Sequence, residues 1–350
     1  MFFASDNTSG IPEPVMQALA RANSGFAMGY GADAIMERVR DRIRSVFEAP
    51  EAAVYLVATG TAANALAIAT TIQPWQAVYC HRVAHIEEDE CGAPVFYAGG
   101  AVLRLLDGKD GKIDPEALRL ALEQAPSGVH HAQPGMLSLT NLTERGARYS
   151  VAQITQLAAL AKAHHLPVHL DGARFANALV AEGCTPAQMT WRAGVDVLSF
   201  GGTKNGLMGV EAVVFFDPAR AWEFELRRKR GGHLFSKHRF LSAQMEAYLE
   251  GDLWLDLART ANARAQRLER GLVQAGATLV HERGGNMMFA EYARRGHDAL
   301  RAAGAMYYDW PGAHPAAGTP DDILQGRLVT SWSTTEAQVD EFVERLAAAR

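Results

Sequence analysis

Short apolar runs, interrupted by polar and glycine-bearing turns, recur along this chain. Ala53 to Val57, Ala77 to Cys80, Val95 to Tyr97, Met136 to Thr140, Pro167 to Leu170, Val195 to Phe200 and Glu211 to Phe216 have strand-like lengths and flanks. Around and between them, Pro14 to Ala22, Ala65 to Ile72, Asp114 to Gln124 and Ser150 to His164 predict helices. In the last of these, Ser150 and Gln153 have the spacing of a reciprocal N-terminal cap. Ile154, Leu157, Leu160 and Ala161 supply its inward stripe. This alternation predicts an α/β fold with a mostly parallel central sheet covered by helices.

Beyond Phe216 the pattern turns helical from about Arg220 through Gln274. Ala277 to Val280, Asn286 to Tyr292 and Arg327 to Trp332 then predict strands, and Glu336 to Ala348 a last helix that Thr335 and Gln338 cap reciprocally. Three parts are expected: an N-terminal arm over 1–30, rich in Ser, Asn, Gly and Pro; a large cofactor domain over 31–250; and a smaller α/β C-terminal domain over 251–350. The chain shows no fixed-period repeat, which argues against a solenoid.

Composition narrows the class. The 350 residues are 48% apolar and 21% charged, ordinary for a folded protein rather than a disordered one, and the formal charge of -5 gives no sign of a nucleic-acid surface. The basic run Arg227-Arg228-Lys229-Arg230 is local and reads first as a solvated helix end or subunit surface. Cys80, Cys91 and Cys184 cannot all pair and form no zinc-type cluster, so reduced thiols and no metal are expected. With no basic-then-apolar leader and no run of membrane-spanning length, the expectation is a cytoplasmic enzyme without membrane or nucleic-acid partners.

The chemistry concentrates in two stations, His169-Leu170-Asp171-Gly172-Ala173-Arg174 and Ser199-Phe200-Gly201-Gly202-Thr203-Lys204-Asn205-Gly206. Each follows an apolar run, placing polar groups at the carboxyl end of a strand, where open α/β sheets bind ligands. A lysine amine forms a Schiff base with an aldehyde, and a carboxylate keeps a pyridinium nitrogen protonated. Lys204 with Asp171 therefore points to pyridoxal phosphate. Thr203 is a phosphate donor, and the flanking glycines let backbone approach a planar cofactor. Arg174 is read as a partner of Asp171 or as a contact to cofactor or substrate oxygen.

Gly60 and Thr61 follow a strand and offer amides and a hydroxyl to a phosphate, without the Gly-Lys-Ser/Thr ending of a Walker loop. His85 is placed to stack on the pyridine ring and exchange protons. Arg327, with Ser9 from the arm, is a candidate grip for a substrate carboxylate. Each has a plainer reading: helix caps for Asp171, Gly60-Thr61 and Ser9, salt bridges for Arg174 and Arg327, a surface turn for Lys204. Asn64 is read as packing behind the site, and the run Glu87-Glu88-Asp89-Glu90 lacks a defensible metal geometry.

The ordered set of motifs resembles the L-threonine aldolase family, in its low-specificity or L-allo-threonine/phenylserine branch. It comprises Ser5-Asp6-Asn7, Tyr30-Gly31-Ala32-Asp33, Gly60-Thr61-Ala62-Ala63-Asn64, Ala84-His85-Ile86, His169 to Arg174, Gly201 to Gly206, Gly232 to Lys237, Ala243-Gln244 and Arg327 to Ser333. The resemblance implies an aspartate-aminotransferase-like fold (fold type I), pyridoxal 5'-phosphate, and a homotetramer of close dimers with shared active sites. It also implies retro-aldol cleavage of L-threonine, L-allo-threonine or phenylserine to glycine and an aldehyde. It assigns the cofactor-bearing amine to Lys204, the pyridinium contact to Asp171, stacking to His85, phosphate contacts to Gly60 and Thr61, a cofactor-side contact to Arg174, and carboxylate contacts to Ser9 and Arg327.

One segment departs from the family pattern. Ser138-Leu139-Thr140-Asn141-Leu142-Thr143-Glu144-Arg145-Gly146 holds no histidine and has Asn141 where the nearer branch has glutamine. The base for the β-hydroxyl is therefore open among His85, a cofactor phosphate oxygen acting through water, and another residue. Aminotransferase or β-eliminating chemistry on the same cofactor, and a non-enzymatic binding protein, stand as the competing readings.

Overall fold

The computed structural model describes residues 1–349. Seven strands, β1 Ala53–Val57, β2 Gln76–His81, β3 Val102–Leu106, β4 Gln133–Thr140, β5 Val168–Gly172, β6 Val197–Gly201 and β7 Glu211–Phe215, form one sheet in the order β1-β7-β6-β5-β4-β2-β3. Neighbours from β6 to β3 pair in parallel, and β7 runs antiparallel to both β6 and β1. β1, β5, β6 and β7 are buried along their whole length, which is why they read as unbroken apolar runs rather than as alternation.

Alternate side chains feed two cores. Val54 and Leu56 join Val39, Ile43, Phe47, Phe175 and Trp254 on one face, while Ala53, Tyr55 and Val57 meet Leu66, Ile68, Phe215 and Phe224 on the other. His169, fully buried in β5, clips three strands together. Its Nδ1 lies 2.9 Å from Ser138 Oγ on β4 and its Nε2 3.0 Å from Ser199 Oγ on β6, and burial pushes its pKa down to about 4. The first residue of the aspartate station thus has a structural task.

A second, antiparallel sheet contains β8 Thr278–Leu279, β9 Met287–Ala293, β10 Tyr308–Trp310 and β11 Ile323–Val329 in the order β10-β11-β9-β8. The helices Leu253–Gln274 and Glu336–Ala348 cover it, sharing a core that includes Leu268, Leu272, Tyr292, Leu328 and Phe342. The first residues of the amino-terminal arm belong to this core, whereas its helix Glu13–Ala22 packs Val15, Ala18 and Ala22 into the core of the large domain. Phe3 packs edge-on against Phe342 at 5.1 Å, and its amide and carbonyl bond to Met306 O and Val329 N.

Both expected reciprocal caps are present, at Ser150 with Gln153 and at Thr335 with Gln338. Several expectations need correction. Val95 to Tyr97 is not a strand: it lies in the short helix Ala93–Tyr97, which Gly92 in a left-handed conformation and Pro94 in the first turn initiate. The strand is β3, a little later in the chain. As an edge strand with mostly exposed side chains, it carries no continuous apolar run. The turn at Gly60 to Asn64 is already helical, because Thr59 caps a helix running Gly60–Thr71. The amphipathic helix Ala34–Val46, capped by Asp33, was not foreseen.

Candidate active site

The two stations meet because β5 and β6 are parallel neighbours, with Asp171 registered against Ser199 and Gly172 against Phe200. Both strand ends open into a cleft of about 460 Å³, whose walls include Gly60, Thr61, Asn64, His85, Asp171, Thr203, Lys204 and Glu211. Six of the predicted site residues thus converge: Gly60, Thr61, His85, Asp171, Thr203 and Lys204. Ser9, Arg174 and Arg327 are not among the wall residues.

Lys204 sits in the single turn Thr203–Asn205, and that turn is fastened from several sides. Asn205 Nδ2 donates to Tyr248 Oη at 2.7 Å and to Trp254 O at 2.8 Å, and Thr203 Oγ1 accepts Val210 N–H at 3.2 Å. A Cβ at Gly202 would meet Val210 O at 2.6 Å, and Gly206 has φ of 110°, so glycine at each permits the tight return into β7. Glu211, at the head of β7, accepts Gly202 N–H at 2.6 Å. Its burial pushes the carboxyl up to about 7, against the pull of Thr203, the Gly202 amide and Lys204. The sequence reading used this residue only as the start of a strand.

At the other wall, Asp171 Oδ1 accepts Ala173 N–H at 3.0 Å and Oδ2 accepts Asn64 Nδ2 at 2.9 Å. The same Asn64 amide lies 2.8 Å from Glu90 Oε1, which in turn lies 2.8 Å from His85 Nδ1. Asn64 and Glu90, read as packing and as part of an acidic run, therefore connect the two proposed ring contacts, Asp171 and His85. The three ligand-type residues His85, Glu90 and Asp171 lie close enough for a metal site, but Asn64 and the His85–Glu90 contact already occupy the facing oxygens.

Arg174 pairs with neither Asp171 nor the cleft. Its Nε and Nη2 grip the two carboxylate oxygens of Asp6 at 2.7 and 3.0 Å, both residues being buried. Burial alone would raise the Asp6 pKa, but Arg174, with Lys204 and Asn286, holds it below the ordinary carboxylate range. Asn286 Nδ2 adds a 3.0 Å bond to Asp6, so the arm, β5 and the second sheet meet at one carboxylate. Ser9 Oγ donates to Asp6 O at 3.4 Å. Arg327 Nη1 donates to Ala4 O at 3.4 Å, and its guanidinium is 6.0 Å from the Tyr308 ring centroid. Burial and the nearby Arg174 charge lower the Arg327 pKa, while Asp6, Glu144 and Tyr308 oppose them.

The walls fit pyridoxal phosphate. A buried carboxylate faces the cleft from one strand and a lysine from the next, and the helix beginning at Gly60 presents its first-turn amides, with no atom within 4 Å of where a Gly60 Cβ would stand.

The family model described as beta-eliminating lyase matches residues 3–294. The chain is 38% identical to a low specificity L-threonine aldolase of Pseudomonas sp. (strain NCIMB 10558), over 99% of this chain and 97% of that one. It is 40% identical to a low specificity L-threonine aldolase of Pseudomonas aeruginosa, over 97% and 95% respectively. Among solved structures, a Leishmania major threonine aldolase superimposes with a TM-score of 0.92 at 28% identity, covering 99% of this chain and 98% of that one. A serine palmitoyltransferase variant of S. paucimobilis with a bound PLP–myriocin aldimine gives 0.69 at 19% identity, covering 100% and 87%, and that likeness speaks for the fold alone. No helix among the described residues is long and apolar enough to cross a membrane. The chain belongs to the beta-eliminating lyase family, within its L-threonine aldolase group.

Proposed function

We propose that this protein is a pyridoxal phosphate-dependent aldehyde-lyase that cleaves L-threonine, L-allo-threonine and related L-3-hydroxy amino acids, including phenylserine, to glycine and an aldehyde. The observation that carries this reading is the convergence of Asp171 and Lys204, from adjacent strands, on one cleft with the helix start at Gly60-Thr61. When bound, pyridoxal phosphate supplies an electron sink for the pair released as a bond at the amino acid's α-carbon breaks.

The chain's residues divide the remaining work. Lys204 would hold the cofactor through its amine. Asp171 would keep a proton on the pyridine nitrogen. The amides at Gly60 and Thr61, with the Thr203 hydroxyl, would hold the phosphate, and His85 would stack on the ring. Arg327, assisted by Ser9, grips the substrate carboxylate, which orients the Cα–Cβ bond for cleavage. Arg174 acts by holding Asp6, and with it the arm that carries Ser9.

The division into an arm over 1–30, a cofactor domain over 31–250 and a smaller domain over 251–350 is supported by the two separate sheets, with the arm and the helix Leu253–Gln274 each packing into both cores. A cytoplasmic homotetramer built from dimers completes the proposal. The exposed side chains of Phe26, Met28, Phe96 and Trp222 support it as surface for a second copy. Sedimentation of the purified protein at the mass of four chains is the expected outcome.

The decisive experiment loads the protein with pyridoxal phosphate and measures acetaldehyde from threonine and allo-threonine and benzaldehyde from phenylserine. Aldehyde and glycine in equal amounts are expected. Failure to cleave all three, or release of ammonia and a keto acid instead, rejects the aldolase assignment.

A further inference from the structure

We propose that Glu90 is a positioning residue for His85, fixing which imidazole nitrogen carries the proton and which one faces the cleft with a free lone pair. The acidic run divides sharply in the fold: Glu87, Glu88 and Asp89 are exposed, whereas Glu90 is turned inward and only 3% exposed. Its Oε1 lies 2.8 Å from His85 Nδ1 and takes an Asn64 Nδ2 proton at 2.8 Å, while the same Asn64 amide reaches Asp171 Oδ2 at 2.9 Å. Glu90 is thus held from the cofactor side and holds His85 in turn.

Burial and the nearby Asp171 charge raise the Glu90 pKa, against the pull of His85 and Asn64, and once ionised the carboxylate only accepts hydrogen bonds. With Glu90 on Nδ1, the neutral imidazole keeps its proton there, and Nε2 is left as an acceptor. A neighbouring carboxylate also strengthens that imidazole's hold on a second proton. The charged groups bearing on His85 are Glu90, Lys204, Asp171 and Glu144. Burial and Lys204 lower its pKa, and the Glu90 hydrogen bond, with Asp171 and Glu144, outweighs them, leaving the group raised. Glu90 Oε2 has no hydrogen-bond partner among the described residues. The carboxylate's polar contacts are therefore all made through Oε1, to His85 and Asn64, as a device for orientation requires and general packing does not.

Nitrogen-15 NMR of histidine-labelled protein tests this, with the His85 signals assigned by their loss in His85→Gln. In the wild-type apoprotein, the Nδ1–H tautomer is expected above the titration midpoint, and the midpoint itself above the free imidazole value of about 6.5. Glu90→Gln, which keeps the shape and removes the charge, is expected to lower that midpoint by about one unit, a tenfold loss of proton affinity. A wild-type Nε2–H tautomer overturns the proposal, as does an unchanged midpoint in Glu90→Gln. The tautomer measurement does not use Glu90→Gln, so it decides even if that variant fails to fold. The link to Asp171 gains its purpose from the cofactor reading above. The apoprotein spectra do not depend on it, so failure of the aldehyde assay and failure of this proposal are separate results.

Discussion

The two ends of the active region are built in different ways. At the cofactor end, Asp171, Lys204, Gly60 and Thr61 stand on neighbouring strand ends and a helix start of one sheet, each within a few residues of an apolar run. At the proposed substrate end, Ser9 belongs to the arm, Arg327 lies in β11 and Arg174 follows β5, and the Asp6–Arg174 pair, with Asn286, ties the arm to the segments after β5 and before β9. The first end is built on one sheet. The second joins separate segments through a buried ion pair, so a change there should disturb geometry as well as chemistry.

Lys204→Ala should give the largest effect and leave the Asp6–Arg174 hydrogen bonds in place. The visible absorption of lysine-bound cofactor should vanish and aldehyde release should fall by several orders of magnitude, with the thermal midpoint of the apoprotein nearly unchanged. Asp6→Ala should do the reverse in kind. It leaves the buried Arg174 guanidinium unpaired, costing about 3–5 kcal/mol of stability, read from denaturant midpoints. The absorption of the lysine-bound cofactor should survive wherever the variant is folded. Arg327→Met should raise KM by about a hundredfold, the loss of roughly 3 kcal/mol from a charge-assisted grip on a carboxylate, with little change in cofactor absorption.

The smallest expected effect sharpens the cofactor end. Glu211 holds its proton up to about pH 7 in the folded apoprotein, whereas an unfolded chain releases it near the ordinary glutamate value. Between those two pH values the folded state binds the extra proton, so this group's contribution to stability declines as pH rises from about 4.5 to about 7 and is flat outside that window. Glu211→Gln should remove that decline. The measurement is the wild-type-minus-variant difference in unfolding free energy at pH 5 and pH 8, which should change by no more than about 3 kcal/mol.

What the sequence disclosed follows the same division. Lys204 and Asp171 were legible because glycines and buried strands frame them, and Gly60-Thr61 because an apolar strand feeds a helix there. Glu90 was not, since a buried glutamate and its three solvated neighbours are spelled alike. Only the chain's return after the short helix His85–Glu88 separates them. The partner of Arg174 was equally hidden: Asp6 lies 168 positions away, and the nearer Asp171 offered a plausible local match that the bidentate grip on Asp6 displaces. β3 escaped because an edge strand with exposed side chains leaves no periodic signal, and β7's first residue, Glu211, reads only as the start of a strand.

The antiparallel insertion of β7 between β1 and β6 has a consequence for the order of assembly during synthesis. β1 emerges early and leads straight into the Gly60 helix start, but its partner in the sheet is β7, which is made only after the Lys204 turn. Until residues 211–215 have left the ribosome, β1 lacks its partner in the sheet, and the proposed phosphate-binding turn it carries lacks that support. Docking of β7 therefore ties the strand that follows the Lys204 turn to the strand that leads into the proposed phosphate seat.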